Sequence, residues 1–153
     1  MLVGVISDTH GLPRPDAIDA LRGSAMIIHA GDVGKAAVLE RLRGISPVIA
    51  VRGNIDTEAW ATSLPESTIV AAGAHSILVL HDLSQLAVDP AQVGLAAVVF
   101  GHSHKPSIEK RAGVLYLNPG SAGPRRFRLP ITLARLAVSP AFLEPEIIAL
   151  PIS

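Results

Sequence analysis

Two imidazoles, His102 and His104, stand one residue apart in GHSHKP (101–106), directly after an apolar run. Other apolar runs stop in a similar way. LVGVIS is followed by Asp8-Thr9-His10, AMIIHA by Gly31-Asp32 and PVIAVR by Gly53-Asn54, while SILVLH closes on His81-Asp82. Singly, each residue has an ordinary explanation: an Asp after a strand caps a turn or helix, and a strand-end His is a hydrogen-bonded structural residue. Jointly, ordinary capping would draw more on Ser and Thr. The donors Asp8, His10, Asp32, Asn54, His81, His102 and His104 exceed what one tetrahedral ion needs. They suit two ions of higher coordination number sharing a carboxylate. Without thiolates the set favours manganese, iron, zinc, cobalt or nickel over Cu(I), and the imidazoles argue against magnesium and calcium. Two divalent transition-metal ions are expected, manganese first. Gly31, Gly53 and Gly101 precede Asp32, Asn54 and His102, and are expected to let the backbone turn and approach an ion closely.

The elements that must position these donors are short runs rich in Val and Ile: LVGVIS (2–7), AMIIHA (25–30), PVIAVR (47–52), SILVLH (76–81) and AAVVFG (96–101). They are apolar on both faces, as buried strands are. PDAIDALRG and GKAAVLERLRG read as the intervening helices, the second with Ala37, Leu39 and Leu42 on its apolar face and Gly44 as its stop. Strand alternating with helix predicts parallel α/β units. In an open α/β sheet ligands bind at the carboxyl ends of the strands, so one rim would receive all seven donors. After residue 105, SIEKRAG, VLYLNPG, RLPITLARLAV and EPEIIAL read as a second, mostly antiparallel sheet packed on the first.

Composition narrows the function. The 153 residues fit a single domain, 1–153, with no repeats or linkers. Hydrophobic residues at 49% and charged residues at 17% exclude disorder. Thirteen basic residues balance thirteen acidic ones and aromatics are 3%, so no nucleic-acid surface is evident. There is no cysteine, which excludes disulfides and thiolate zinc sites. MLVGVIS lacks a basic leader and meets Asp8 early, and no apolar stretch is long enough to span a bilayer. A cytoplasmic protein without membrane attachment is expected. The apolar, proline-punctuated C-terminal third suits a homo-oligomer face.

The ordered motifs SDTH, AGD, RGN, LHD and GHSHKP resemble those of the calcineurin-like metallophosphoesterase superfamily, and LNPGSAGPRR (117–126) resembles its small phosphodiesterase branch, related to the retromer scaffold subunit. The resemblance covers nearly the whole chain. It implies an α/β fold, a four-layer α/β/β/α sandwich of two mixed sheets flanked by helices. It implies one metal on Asp8, His10, Asp32 and His104, and a second on Asp32, Asn54, His81 and His102, with Asp32 bridging. Asp32, Asn54 and His102 form its catalytic set, and a bridging hydroxide attacks a small phosphodiester substrate. Two departures stand out. Ile55 occupies the position where many members carry a leaving-group His, and Asp82 replaces the glycine of a His-Gly-His.

Other residues have milder readings. His29 could orient a ligand or be a satisfied core imidazole. His75 reads as exposed turn, Asn118 as serving the turn at Pro119-Gly120 or sitting near the metals, and Asp56 as supporting Asn54 or capping a turn. Arg125, Arg126 and Arg128 read as a solvated cationic loop, with phosphate contact as the sharper alternative. An amidohydrolase barrel needs about 250 residues, and the H-E-x-x-H motif is absent. The serious rival is a catalytically weak or inactive scaffold on the same fold.

Overall fold

The structure, a computed structural model, describes residues 1–151, so the last two positions of the expected domain lie outside the described residues. Two five-stranded sheets carry the chain. The first has the order β10-β9-β1-β2-β3, from β1 (Leu2–Ile6), β2 (Met26–His29), β3 (Val48–Ala50), β9 (Thr132–Val138) and β10 (Leu143–Ala149). The second has the order β4-β5-β6-β8-β7, from β4 (Ser67–Ala72), β5 (His75–Leu80), β6 (Ala97–Val99), β7 (Ser107–Arg111) and β8 (Val114–Asn118). Both are mixed: β1, β2 and β3 run parallel, as do β5, β6 and β8, while the remaining pairings are antiparallel.

This partition corrects the sequence reading. SILVLH and AAVVFG belong to the second sheet. RLPITLARLAV and EPEIIAL return to the first, where β9 pairs with β1 from Leu2↔Ala137 to Val5↔Ala134. Burial on both faces marks a run as strand but carries no information about which sheet takes it. The run STIVAA, unread from sequence, is β4, an edge strand whose alternate positions Ser67, Ile69 and Ala71 are exposed. His75 is not in an exposed turn. It begins β5, half-buried, with Nε2 2.7 Å from the Ser139 carbonyl.

Side-chain alternation along the strands builds the layers. Val3, Val5, Ile28, Ala134 and Leu136 face Val70, Ile77, Val79, Val99, Leu115 and Leu117 across the gap between sheets. The outer face of the first sheet, with Ile6, Ile27 and Leu133, is covered by α1 (Pro15–Leu21) through Ala17, Ile18 and Leu21, and by α2 (Ala36–Arg43) through Val38, Leu39 and Leu42. Ala37 is exposed, so Val38 takes the core position expected for it. Pro15 opens α1, where its missing N–H costs nothing. Gly44 ends α2 at φ −66°, a right-handed conformation, so it is not the left-handed cap that a terminal glycine suggests. The outer face of the second sheet is covered more thinly, by a 3₁₀ turn at Leu83–Gln85 and the chain to Leu95, packed on Leu78, Leu80, Val98, Val114 and Tyr116.

Much of the apolar C-terminal third is core: Leu133, Ala134 and Leu136 are fully buried and unavailable to an oligomer face. Among the described residues no helix is long and apolar enough to cross a membrane. Leu136 is a fully buried member of the inter-sheet packing. Leu136→Ala is expected to destabilise the fold by about 2–5 kcal/mol, the range for an unfilled cavity, measured by urea unfolding at unchanged slope.

Candidate metal centre

The carboxyl ends of β1, β2, β3, β5 and β6 open at one rim, and each delivers its donors there. The local backbone is unusual. Asp8 (φ 55°), His10 (47°), Asp32 (55°), His102 (73°) and His104 (64°) all adopt the left-handed conformation, and only Ala112 and Phe127 share it among the other described non-glycine residues. Such a conformation costs about 1–2 kcal/mol per residue for an L side chain with no local compensation, and clusters of this kind gather at functional sites.

Each carboxylate is held by one oxygen and presents the other. Asp8 is fully buried; Ser7 Oγ–H (2.6 Å) and the His102 N–H (3.2 Å) donate to its Oδ2. Its Oδ1 has no hydrogen-bond partner and lies 3.3 Å from His104 Nε2, 3.8 Å from His81 Nε2 and 3.9 Å from His10 Nε2. Asp32 takes the Ile55 N–H on Oδ1 (3.1 Å), while Oδ2 faces His81 Nε2 at 3.2 Å and His10 Nε2 at 3.6 Å. His81 Nδ1–H donates to the Ala30 carbonyl (2.7 Å), which fixes the tautomer and leaves Nε2 directed at both carboxylates. His81 Nε2 and His10 Nε2 are buried without hydrogen-bond partners.

Two ligand groups result, Asp8–His10–His104 and Asp8–Asp32–His81, each with its atoms within 4.8 Å of one another. Asp8 is common to both, and Asp32 Oδ2 also reaches His10, so either carboxylate spans the pair. His102 and Asn54 stand at the mouth. The His102 ring is half exposed and edge-on to His81 at 5.3 Å, with Nε2 4.0 Å from Asp82 Oδ2. Asn54 is exposed and lines a cleft with His81 and Asp82.

Burial alone would push both carboxyls up. Contacts with His10 and Ser7, and the charges of His81 and His104, bring Asp8 below the ordinary carboxylate value, and His81 with the Ile55 N–H brings Asp32 to about 2. For His81, burial is outweighed by Asp32 and Asp8, which raise the imidazole. His104 is lowered by burial. Both carboxylates are therefore anions at neutral pH, and the imidazoles facing them must either carry a proton or share a cation with the oxygens.

Glycine serves close packing behind these oxygens more than approach to an ion. A Cβ at Gly53 would collide with the Asp32 amide and Oδ1, and one at Gly101 with Ser7 Oγ and Asp8 Oδ2. Gly31 alone of the three needs its freedom, at φ +100°, beneath the His81 ring.

Supports stand behind these donors, some anticipated in sequence (His29, Asp56 and Asn118) and others, Thr9 and Ser121, not. Thr9 Oγ1 joins the loops after β1 and β2. The Gly31 N–H donates to His29 Nδ1 (3.1 Å), so His29 Nε2–H donates to Thr9 Oγ1 (3.0 Å), which in turn donates to the Val33 carbonyl (2.9 Å). His29 is thus a positioning residue for the loops, touching no ligand atom. Asp56, buried, accepts the Val33, Gly34 and Gly53 N–H groups at 3.1, 2.9 and 2.9 Å and ties the Asp32 loop to the Asn54 loop. Asn118 serves both its own turn, through the Gly120 N–H, and the histidine loop, donating to the Gly101 carbonyl and Ser103 Oγ. Ser121 Oγ–H holds the Asp8 carbonyl at 3.0 Å. Ser and Thr beside a ligand were the only sequence signal for Ser7 and Thr9.

A family model described as the calcineurin-like phosphoesterase superfamily domain matches residues 1–140. A probable metallophosphoesterase of Methanothermobacter thermautotrophicus is 32% identical, over 97% of this chain and 92% of its own. Phosphodiesterase YfcE of Escherichia coli K12 is 30% identical, over 75% and 76%. Among solved structures, Entamoeba histolytica Vps29 complexed with zinc superposes with a TM-score of 0.73 at 22% identity, covering 97% of this chain and 99% of that one.

Two outcomes are expected from this architecture. Asp56→Asn should weaken divalent-metal binding by about 10- to 100-fold in calorimetric titration, as loss of a positioning group does. The His29 imidazole, fully buried, is pushed down to about 4 from 6.5. Its neutral form therefore stabilises the fold above the unfolded value, and that stability is lost as pH falls from about 6.5 through about 4, by about 3 kcal/mol. Urea unfolding of the metal-free protein across that window should show the slope, and His29→Gln should make it shallower, leaving the part that the lowered His104 contributes.

Proposed function

Since the chain belongs to the calcineurin-like phosphoesterase superfamily, we propose that it is a metal-dependent phosphodiesterase, hydrolysing a phosphodiester to a phosphomonoester and an alcohol. The observation that carries this reading is the set of buried, partnerless atoms pointing at one another: Asp8 Oδ1, His10 Nε2 and His81 Nε2, with His104 Nε2 and Asp32 Oδ2 beside them. Lone pairs of like polarity held 3.2–3.9 Å apart fit divalent cations and fit poorly with nothing.

Asp8, His10, Asp32 and His104 would hold one ion, and Asp32, Asn54, His81 and His102 the other. All the donors are nitrogen or oxygen, suited to manganese, with zinc, nickel, cobalt or iron as alternatives. Two divalent ions would supply a nucleophilic water at neutral pH and Lewis-acid stabilisation of the phosphoryl oxygens. The chain's own part is geometry and charge. Asp8 and Asp32, anchored from behind, remove about two of about four positive charges, so a substrate anion is still attracted. Asn54 and His102, exposed at the mouth, would touch the phosphoryl group as it arrives.

Ile55 sets the limit of the chemistry. Its N–H supports Asp32, while its side chain is apolar, 44% exposed, and offers the leaving alkoxide no proton. Esters with acidic or strained leaving groups, such as aryl diesters and 2′,3′-cyclic nucleotides, are therefore the favoured class over ordinary monoesters.

The expected result is hydrolysis of an aryl phosphodiester with added manganese, abolished by chelation and reduced by more than about 10²-fold in Asp32→Ala and His104→Ala. A scaffold on this fold would show no turnover with manganese, nickel or cobalt, and no dependence on either residue.

A further inference from the structure

The cleft beside the metal centre, about 230 Å³, is lined by Asn54 and His81 of the candidate ligands together with Arg52, Glu66, Asp82 and Gln85. Its charges do not balance. Arg52 Nη2 lies 3.2 Å from Glu66 Oε1, so those two offset each other. Asp82 has no such counter-ion among the described residues. Its Oδ1 accepts the Ser84 N–H (3.0 Å) and Oγ–H (2.8 Å), and its Oδ2 faces His102 Nε2 at 4.0 Å. Hydrogen bonds from neutral donors favour the charged form of a carboxylate. A metal-ligating imidazole is neutral, so His102 in that role would not offset Asp82. The result is a partly exposed negative charge at the mouth, where an arriving phosphoryl group would pass.

The local fold does not require that charge. Asp82 has extended backbone, φ −112°, which any residue adopts. It caps the 3₁₀ turn Leu83–Gln85 through Oδ1, a duty that the amide oxygen of an asparagine performs as well. Oδ2 takes no part in the cap and is the oxygen turned towards His102. The motif that the sequence resembles carries a glycine here, with no side chain at all, so the carboxylate is this chain's own addition to the rim.

Two divalent ions would bring about four positive charges, from which Asp8 and Asp32 remove about two and Asp82 about one more. About one remains. That matches the single negative charge of a phosphodiester and falls short of the nearly two on a phosphomonoester at neutral pH. We propose that Asp82 is a specificity residue that selects singly charged phosphoryl groups, so that diesters are admitted, monoester dianions are disfavoured and the monoester product is released more readily. The inference rests on the phosphodiesterase reading. It adds a selection by charge to the selection by leaving group that Ile55 imposes.

The test compares 4-nitrophenyl phosphate with 4-nitrophenyl methylphosphonate at saturating manganese and mildly alkaline pH. The two share a leaving group and nearly a shape, and they differ by one negative charge. Asp82→Asn, which keeps the cap, should raise kcat/KM for the dianionic phosphate about tenfold more than for the monoanionic phosphonate, the effect of one charge several ångströms away in a partly solvated site. Calorimetry gives a readout without turnover. Sulfate, a tetrahedral dianion, should bind the manganese-loaded Asp82→Asn protein about tenfold more tightly than the unsubstituted one. An unchanged ratio between the two esters, or sulfate bound no more tightly by the variant, overturns the selection by charge. So does an equal loss on both esters, which would assign Asp82 to holding the His102 ring instead. No turnover of bis(4-nitrophenyl) phosphate by the unsubstituted protein with manganese overturns the phosphodiesterase reading itself.

Discussion

Two carboxylates, one wholly buried and one nearly so, face the same small space as three imidazole nitrogens. Everything else at this end of the molecule answers to that fact. An ionised carboxylate removed from water is costly unless it is hydrogen-bonded and its charge is met. One oxygen of each is met by hydroxyl or backbone N–H donors, and the other is not. With His81 Nδ1–H committed to the Ala30 carbonyl, its Nε2 points a lone pair at Asp32 unless a proton or a cation intervenes. The raised His81 imidazole is the protonic solution and a divalent ion is the metallic one. The two compete for the same place.

Holding such a cluster requires the backbone to be bent where side chains resist bending. Five donors sit at positive φ, and the conformations persist because neighbouring loops over-determine them. Asp56 binds three amides from two loops, and the His29–Thr9–Val33 chain joins the first loop to the second. Asn118 and Ser121, from the far end of β8, clasp the histidine loop and the Asp8 loop. The sheets supply the platform, but these hydrogen bonds set the spacing.

That division explains what could be read in the residue order. Asp8, His10, Asp32, His81 and His104 announce themselves by type, since few roles other than ligation want imidazole and carboxylate at successive strand ends. The partners that hold them do not, because Ser7, Thr9 and Ser121 are common residues whose bonds span up to 113 positions. Sheet membership was illegible for a similar reason. LVGVIS and SILVLH have the same pattern, and only the pairing of β9 with β1 decides that the C-terminal strands close the first sheet rather than make the second. STIVAA escaped notice as an edge strand with half its side chains in water. Arg125, Arg126 and Arg128 are exposed, as the cationic loop read from sequence expects, but the tie that holds their base, Arg14 to the Gly123 carbonyl, spans 109 positions and leaves no local signal.

The loop 53–56 shows how the chemistry of this candidate metal centre could change with its carboxylates and imidazoles left in place. Gly53 fits behind Asp32 because it has no Cβ, Ile55 contributes its N–H, and Asp56 contributes its carboxylate. Each of these contacts uses backbone or a buried group, and none uses the side chain at 55, which extends into solvent. A residue there that donates a proton, or one that cannot, leaves the ligand positions untouched. On the phosphodiesterase reading, metal holding and leaving-group protonation would therefore be separable on this scaffold. With no proton donor at 55, selectivity would then rest on the substrate's own leaving group.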